Sequence, residues 1–142
     1  MKPSTLTFKR LLLNAVLPTR AHPGDAGLDL YACNSVVIFP KQGAAIRTGI
    51  AVAIPDGYTG LVCDRSSLGK QGLKTMGGVI DAGYRGEIHV VMFNVSNVGV
   101  RIKRGDRVAQ LLILPIATPE VKEVVELGNT PRGENGFGSS GK

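Results

Sequence analysis

Short apolar runs rich in Val, Ile and Leu recur along the chain, each closed by Gly, Pro, Asn or Asp. Runs too brief for helices and bounded by turn formers predict an all-β sandwich or barrel. The pattern places strands over residues 5–13, 28–33, 36–39, 44–54, 60–63, 79–80, 87–95, 100–103, 108–114 and 121–125. Those at 87–95 and 108–114 are the most apolar, which predicts central strands buried on both faces. Only residues 64–72 break the β pattern. They predict a single helical turn with Asp64 or Ser66 as its N-cap.

One stretch organises the rest: Gly78-Val79-Ile80-Asp81-Ala82-Gly83-Tyr84-Arg85-Gly86-Glu87-Ile88. Val79-Ile80 and the run that starts at Ile88 flank a turn in which Gly83 and Gly86 tolerate positive φ, so the segment reads as a hairpin. Asp81 falls at its mouth beside Val79, Ile80 and Ala82. Partial desolvation there prepares a carboxylate to accept a proton. A turn Asp also bonds its own backbone, so this stretch alone leaves both roles open.

The 142 residues suffice for one domain with a core that needs no disulfide or metal. Residues 1–127 form that core, and the glycine-rich residues 128–142, with little to bury, form an arm that orders only on closing over something. A net charge of +6 and a pI near 9.6 point to phosphates as partners. With three Tyr, four Phe and no Trp, stacking platforms for single strands are scarce, and a nucleotide suits the chain better than a nucleic acid. Cys33 and Cys63 lie far apart without His at ligand spacing, so both read as buried thiols. No apolar run reaches the roughly 20 residues that cross a bilayer, which leads us to expect no membrane association and a cytoplasmic location.

Four other glycine-rich stretches carry polar residues at strand ends. In Ala26-Gly27-Leu28-Asp29-Leu30-Tyr31-Ala32, Asp29 interrupts an alternating strand, where it must face solvent or a cation. Arg65-Ser66-Ser67-Leu68-Gly69 offers a cation, two hydroxyls and backbone N–H groups to an anion. Gln110 is the one amide in the run at 108–114 and needs a buried partner. In the closing arm, Phe137 between Gly136 and Gly138 can swing onto a flat ring.

Together these five stretches, AGLDLYA, RSSLG, GVIDAGYRGEI, GDRVAQL and RGENGFGSSG, resemble in order and spacing the motifs of the trimeric dUTP nucleotidohydrolases, the dUTPases. The resemblance implies a β jelly roll, a homotrimer with sites at subunit interfaces, and Mg2+-dependent hydrolysis of dUTP to dUMP and pyrophosphate. Asp81 would be the base that activates water. Gly78, Val79, Ile80 and Asp81 would read uracil, Tyr84 would exclude a ribose 2′-hydroxyl, and His89 would also contact substrate. Arg65, Ser66 and Ser67 would hold phosphates with help from Gln110, and Asp29 would bind waters of the Mg2+. Arg132, Phe137, Gly138, Ser139 and Ser140 would close the site.

Three positions depart from the commonest pattern: Ser67 stands where many members have Gly, Asp64 where Pro is frequent, and Thr75 near where an Asn often holds the base. The sibling dCTP deaminases share the fold but need a glutamate in the strand after the loop. Here no Asp or Glu occurs between Glu87 and Asp106, which disfavours deamination. A nucleotide-gated regulatory binding protein is the remaining alternative.

Overall fold

The computed structural model describes residues 5–138. Eleven strands and one helical turn follow in the order β1 (Thr7–Arg10), β2 (Leu28–Tyr31), β3 (Val36–Ile38), β4 (Gly43–Arg47), β5 (Ile50–Ala53), β6 (Tyr58–Cys63), α1 (Ser66–Gly69), β7 (Leu73–Thr75), β8 (Val79–Ile80), β9 (His89–Asn94), β10 (Val100–Ile102) and β11 (Arg107–Pro115). All pairings are antiparallel, in sheets ordered β1-β5, β10-β3, β2-β11-β6-β8 and β4-β9-β7. The chain is all-β, as its periodicity requires.

The core between the sheets holds Leu30, Ile46, Ile50, Met92, Ile102 and Leu111, each at most 1% exposed. In β9, Val90, Met92 and Asn94 face inward while His89, Val91 and Phe93 face outward or half outward. That strand is therefore buried on one face, not two. In β11 the first half is enclosed and Leu114-Pro115 are exposed.

Several further expectations are corrected, among them the positive φ expected at Gly83 and Gly86, which Gly77 and Gly78 adopt instead. Val79-Ile80 and the run after Ile88 do not form a hairpin: β8 pairs with β6, whereas β9 pairs with β4 and β7. Residues 44–54 split into β4 and β5 at Thr48-Gly49. Residues 121–125 form no strand, Val121 and Val125 are fully exposed, and none of the described strands pairs with them. Cys63 is only half-buried, although Cys33 is enclosed. The short strand β7 escaped the sequence pattern, since Lys74 and Gln71 hide its two inward residues, Leu73 and Thr75.

The helical turn differs as well. Its N-cap position is Arg65, and no side chain caps it. Asp64 instead reaches sideways to β7: its Oδ1 accepts the Thr75 N–H and hydroxyl, both at 2.6 Å, and its Oδ2 pairs with Lys74. Burial alone would push the Asp64 carboxyl up, but Lys74 and the two Thr75 donors outweigh it and hold the group below its ordinary 3.8. The two departures from the family pattern at 64 and 75 are thus bonded to each other.

Asn94 closes the inner end of β9 with no exposure. Its Nδ2 donates to the Ile38 and Val98 carbonyls at 2.9 and 2.8 Å, and its Oδ1 accepts from the Ser96 N–H and hydroxyl at 2.9 and 2.7 Å. Asn94→Ala removes all four bonds and is expected to cost about 2–4 kcal/mol in urea unfolding; a loss under about 1 kcal/mol would mean that water restores them. For Asp64 the sign follows from the lowered carboxyl. Its stabilisation is full above the ordinary 3.8 and disappears as pH falls through the lower folded value. The unfolding-midpoint gap between wild type and Asp64→Asn should hold from pH 7 to about 5 and close towards pH 2; a gap that stays constant would remove the carboxylate from the tether.

Candidate active site

Strand β11 carries the first half of the site. Gln110 lies opposite Asp29 of β2 on one side and Cys63 of β6 on the other. That register sets Asp29, Gln110 and the residues that follow Cys63 around one cleft of about 450 Å3, lined also by Arg65, Ser66, Ser67 and Arg107. Gln110 Nε2 donates to the Asp64 carbonyl at 2.8 Å, which gives the buried amide its partner. The Asp29 carboxylate, its side chain 13% exposed, meets Arg65 Nε at 3.1 Å and Arg107 Nη1 at 3.5 Å. Arg65 also donates to the Arg107 carbonyl at 3.3 Å. An arginine has five donors, so this guanidinium is oriented and keeps others for an anion. The Ser66 and Ser67 side chains stand exposed at the cleft.

A second cleft of about 250 Å3 is lined by Met76, Gly78, Val79, Ile80, Asp81, Tyr84, Glu87, His89 and Val91. Its wall is laid against β6, where Ile80 pairs with Gly60 and Val79 with Leu61. Gly78 takes φ +109°, and a Cβ there would meet the Val62 carbonyl at 2.8 Å. Only glycine lets the backbone approach so closely. The Gly78 carbonyl accepts the Val62 N–H at 2.8 Å, and the Ile80 carbonyl accepts the Thr59 hydroxyl at 3.0 Å.

Asp81 is where the structure is most informative. Its backbone carbonyl closes the turn by accepting the Tyr84 N–H at 3.0 Å. Its carboxylate has no hydrogen-bond or ion-pair partner among the described residues, so it does not serve the turn. Nor is it desolvated within one chain: Asp81 is exposed and neighbouring Val79 is 65% exposed. The partial burial expected from the flanking apolar residues is absent from the single chain.

The sequence-predicted residues therefore gather in two groups. Asp29, Arg65, Ser66, Ser67 and Gln110 line the cationic cleft, while Gly78, Val79, Ile80, Asp81, Tyr84 and His89 line the other. Among the described residues, none lines both. From the arm, Arg132 Nε bonds the Asn135 carbonyl at 3.0 Å, Phe137 is fully exposed, and neither cleft is lined by Arg132, Phe137 or Gly138. Ser139 and Ser140 lie outside the described residues.

Sequence reasoning missed Arg107, Met76, Glu87 and Val91. For Arg107 the obstacle is physical. It is three positions from Gln110, which strict alternation sends to opposite faces, but the register shifts between Arg107 and Ala109 and returns both side chains to one cleft. Glu87 gave a readable signal as the one acid on the return side of the loop.

Comparison with known proteins adds to this geometry. A family model described as dUTPase matches residues 14–141. The deoxyuridine 5'-triphosphate nucleotidohydrolase of Mycolicibacterium vanbaalenii is 47% identical over 148 residues, covering 98% of this chain and 96% of that protein. The enzyme of the same name from Paramecium bursaria Chlorella virus 1 is 41% identical over 139 residues, with 97% and 99% covered. Among solved structures, the Staphylococcus bacteriophage 80alpha dUTPase with dUPNHPP superposes with a TM-score of 0.93 at 37% identity, covering 99% of this chain and 100% of that one. A mutant dUTPase from phage phi11 of S. aureus, described with a coordinated structural Mg(II) ion, gives a TM-score of 0.83 at 34% identity, with 89% and 100% covered. On likeness that runs nearly end to end in sequence and in structure alike, the chain belongs to the dUTPase family.

Proposed function

We propose that this chain hydrolyses dUTP to dUMP and pyrophosphate, and that the Asp81 carboxylate takes a proton from the water that attacks the α-phosphorus. The observation that carries this reading is a carboxylate without a protein partner, set beside a wall of backbone that only Gly78 permits. Gly78, Val79, Ile80 and Asp81 supply the backbone groups that read the uracil edge, and Tyr84 stacks under the deoxyribose. His89, at the rim of the same cleft, touches the nucleotide from the side. Arg65, Ser66, Ser67 and Gln110 hold the phosphates and stabilise charge as it develops on the leaving group.

The nucleoside cleft and the phosphate cleft share no lining residue among the described ones, and we place the complete site where one copy brings its Asp81 cleft against the Arg65 cleft of another. This supports a homotrimer in which each interface joins Asp81 of one subunit to the Arg65 loop of the next. The same contact covers Asp81 and Val79, providing the desolvation that a single chain lacks.

The donor set also fits Mg2+. No group of three His, Cys, Asp or Glu residues that could cage an ion occurs among the described residues. A magnesium ion that keeps its waters needs only a carboxylate and substrate phosphates. Asp29, in the phosphate cleft, would hold those waters. When bound, the ion would neutralise charge on the phosphates and the leaving pyrophosphate.

Residues 128–142 act as an arm on the core of residues 1–127. Phe137 covers the uracil, Arg132, Ser139 and Ser140 reach the phosphates, and Gly138 lets the arm bend between them, excluding bulk water. The product dUMP feeds dTMP synthesis while dUTP is cleared from the nucleotide pool, a role in keeping with a cytoplasmic protein. Among the described residues no helix is long and apolar enough to cross a membrane. Deamination has no support in the site: β9 carries no acid, and Glu87 is held by Arg47 and the Gly49 N–H.

With Mg2+ and each of dUTP, dCTP, dTTP and UTP, pyrophosphate should be released from dUTP alone; ammonia from dCTP would transfer the chain to the deaminase chemistry. Asp81→Asn should lower kcat by about 10²–10⁴-fold while dUTP affinity stays within about threefold, and an equal loss of both would deny the base its role. Deleting residues 132–142 should leave a folded trimer with kcat/KM reduced by about 10²-fold or more. Full turnover by that truncated chain would make the arm a passenger.

A further inference from the structure

The loop that bears Tyr84 has an unusual mechanical problem. Its arms belong to different sheets, so no ladder of hydrogen bonds joins its outgoing and returning sides. Within residues 81–86 the hydrogen bonds are local: Tyr84 N–H to the Asp81 carbonyl, and Arg85 Nη1 to the Ala82 and Tyr84 carbonyls at 2.6 and 2.8 Å. The Tyr84 ring leans back over Gly86, where a Cβ would come within 2.4 Å of its hydroxyl oxygen, and donates that hydroxyl to the Glu87 carbonyl at 2.9 Å. The ring is therefore as well placed as the peptide joining Glu87 to Ile88.

That peptide is held at both ends. On one side the Ile88 N–H bonds the Ile50 carbonyl at 2.8 Å and the Ile88 carbonyl accepts the Thr48 hydroxyl at 2.6 Å. On the other, the Glu87 carboxylate, with its side chain 11% exposed, accepts Arg47 Nη2 at 2.9 Å, Arg47 Nε at 3.2 Å to each oxygen, and the Gly49 N–H at 2.8 Å. His89 Nε2 stands 3.7 Å from the same carboxylate. A peptide anchored at one end can rock about its anchor. A forked ion pair and a backbone N–H at the second end suppress that motion.

We propose that Glu87 is a positioning residue for sugar selection: clamped by Arg47 and Gly49, it fixes the peptide oxygen that holds Tyr84, and so sets the clearance that admits deoxyribose and rejects a 2′-hydroxyl. The inference rests on the dUTP-hydrolase reading and deepens it. A difference of one hydroxyl is discriminated only by a wall that does not yield, because a ring able to retreat makes room for the extra atom. Arg47 lines neither cleft, so the clamp is accessible to mutation away from the substrate.

The readout is the ratio of kcat/KM for dUTP to that for UTP. Glu87→Ala and Arg47→Ala should each lower this ratio about tenfold, chiefly through faster UTP turnover relative to dUTP. Glu87→Gln, whose amide oxygen can still accept the Gly49 N–H, should lie between them and wild type. Tyr84→Phe removes the hydroxyl at the other end of the chain of contacts, so combining it with Glu87→Ala should lower the ratio no further than the worse single change. If Glu87→Ala does not fold, Arg47→Ala, at a half-exposed side chain, decides the matter alone. Equal losses on both nucleotides, leaving the ratio unchanged, or full additivity with Tyr84→Phe would overturn the clamp while the hydrolase reading stands. A wild-type chain that releases no pyrophosphate from dUTP would overturn both.

Discussion

The register of β11 against β2 and β6 is the constraint on which the cleft lined by Asp29, Arg65 and Gln110 depends. The strand pairs with β2 over its first half and with β6 from Gln110 onward, and Val108, Ala109 and Leu111 are wholly enclosed, so it cannot slide without lifting apolar side chains into water. Three distant segments are located by that one strand. Asp29 stands opposite Gln110, the end of β6 delivers Asp64 and Arg65 to the same place, and the irregularity after Arg107 turns a second guanidinium inward. A slip of one residue would send Gln110 to the other face and leave the Asp64 carbonyl without its donor.

The cleft lined by Gly78, Asp81 and Tyr84 is built on a different principle. Sheets fix its margins, β8 on β6 and β9 on β4, while the loop between them relies on single contacts. Such a loop has few cooperative bonds and depends on individual side chains for its shape. Asp64 has a comparable duty elsewhere, because its side chain ties β7, which leads into Met76 and Gly78, to the start of the Arg65 loop. The two clefts of one chain are thus mechanically linked even though they share no lining residue among the described ones.

Much of this was legible in the sequence, and the failures have physical causes. Alternation and turn residues located most strands, and Asp29 and Gln110 stood out because each is costly where it sits unless something compensates. Strand partners were not legible. Val79-Ile80 and the run after Ile88 look like a hairpin because adjacent strands with glycines between them usually pair, yet Gly78 lies so tightly on Val62 that β6 takes β8 instead. Residues 121–125 have strand composition but no partner among the described strands, and composition cannot supply one. Asp64 read as a helix cap because the partner that claims it, Thr75, is eleven positions away and belongs to a strand too short to detect.

Asp29 and Asp81 differ in what their carboxylates have left to offer. Asp29 is nearly enclosed and faces two guanidiniums, which take up part of its lone pairs and offset its charge. Asp81 faces neither Arg65 nor Arg107, and its lone pairs are open to water. A base must have a lone pair to offer, and a carboxylate held by a free guanidinium gives that pair away. The Asp81 carboxylate and the two guanidiniums line separate clefts of one chain, which leaves the lone pairs of the proposed base free of a cation.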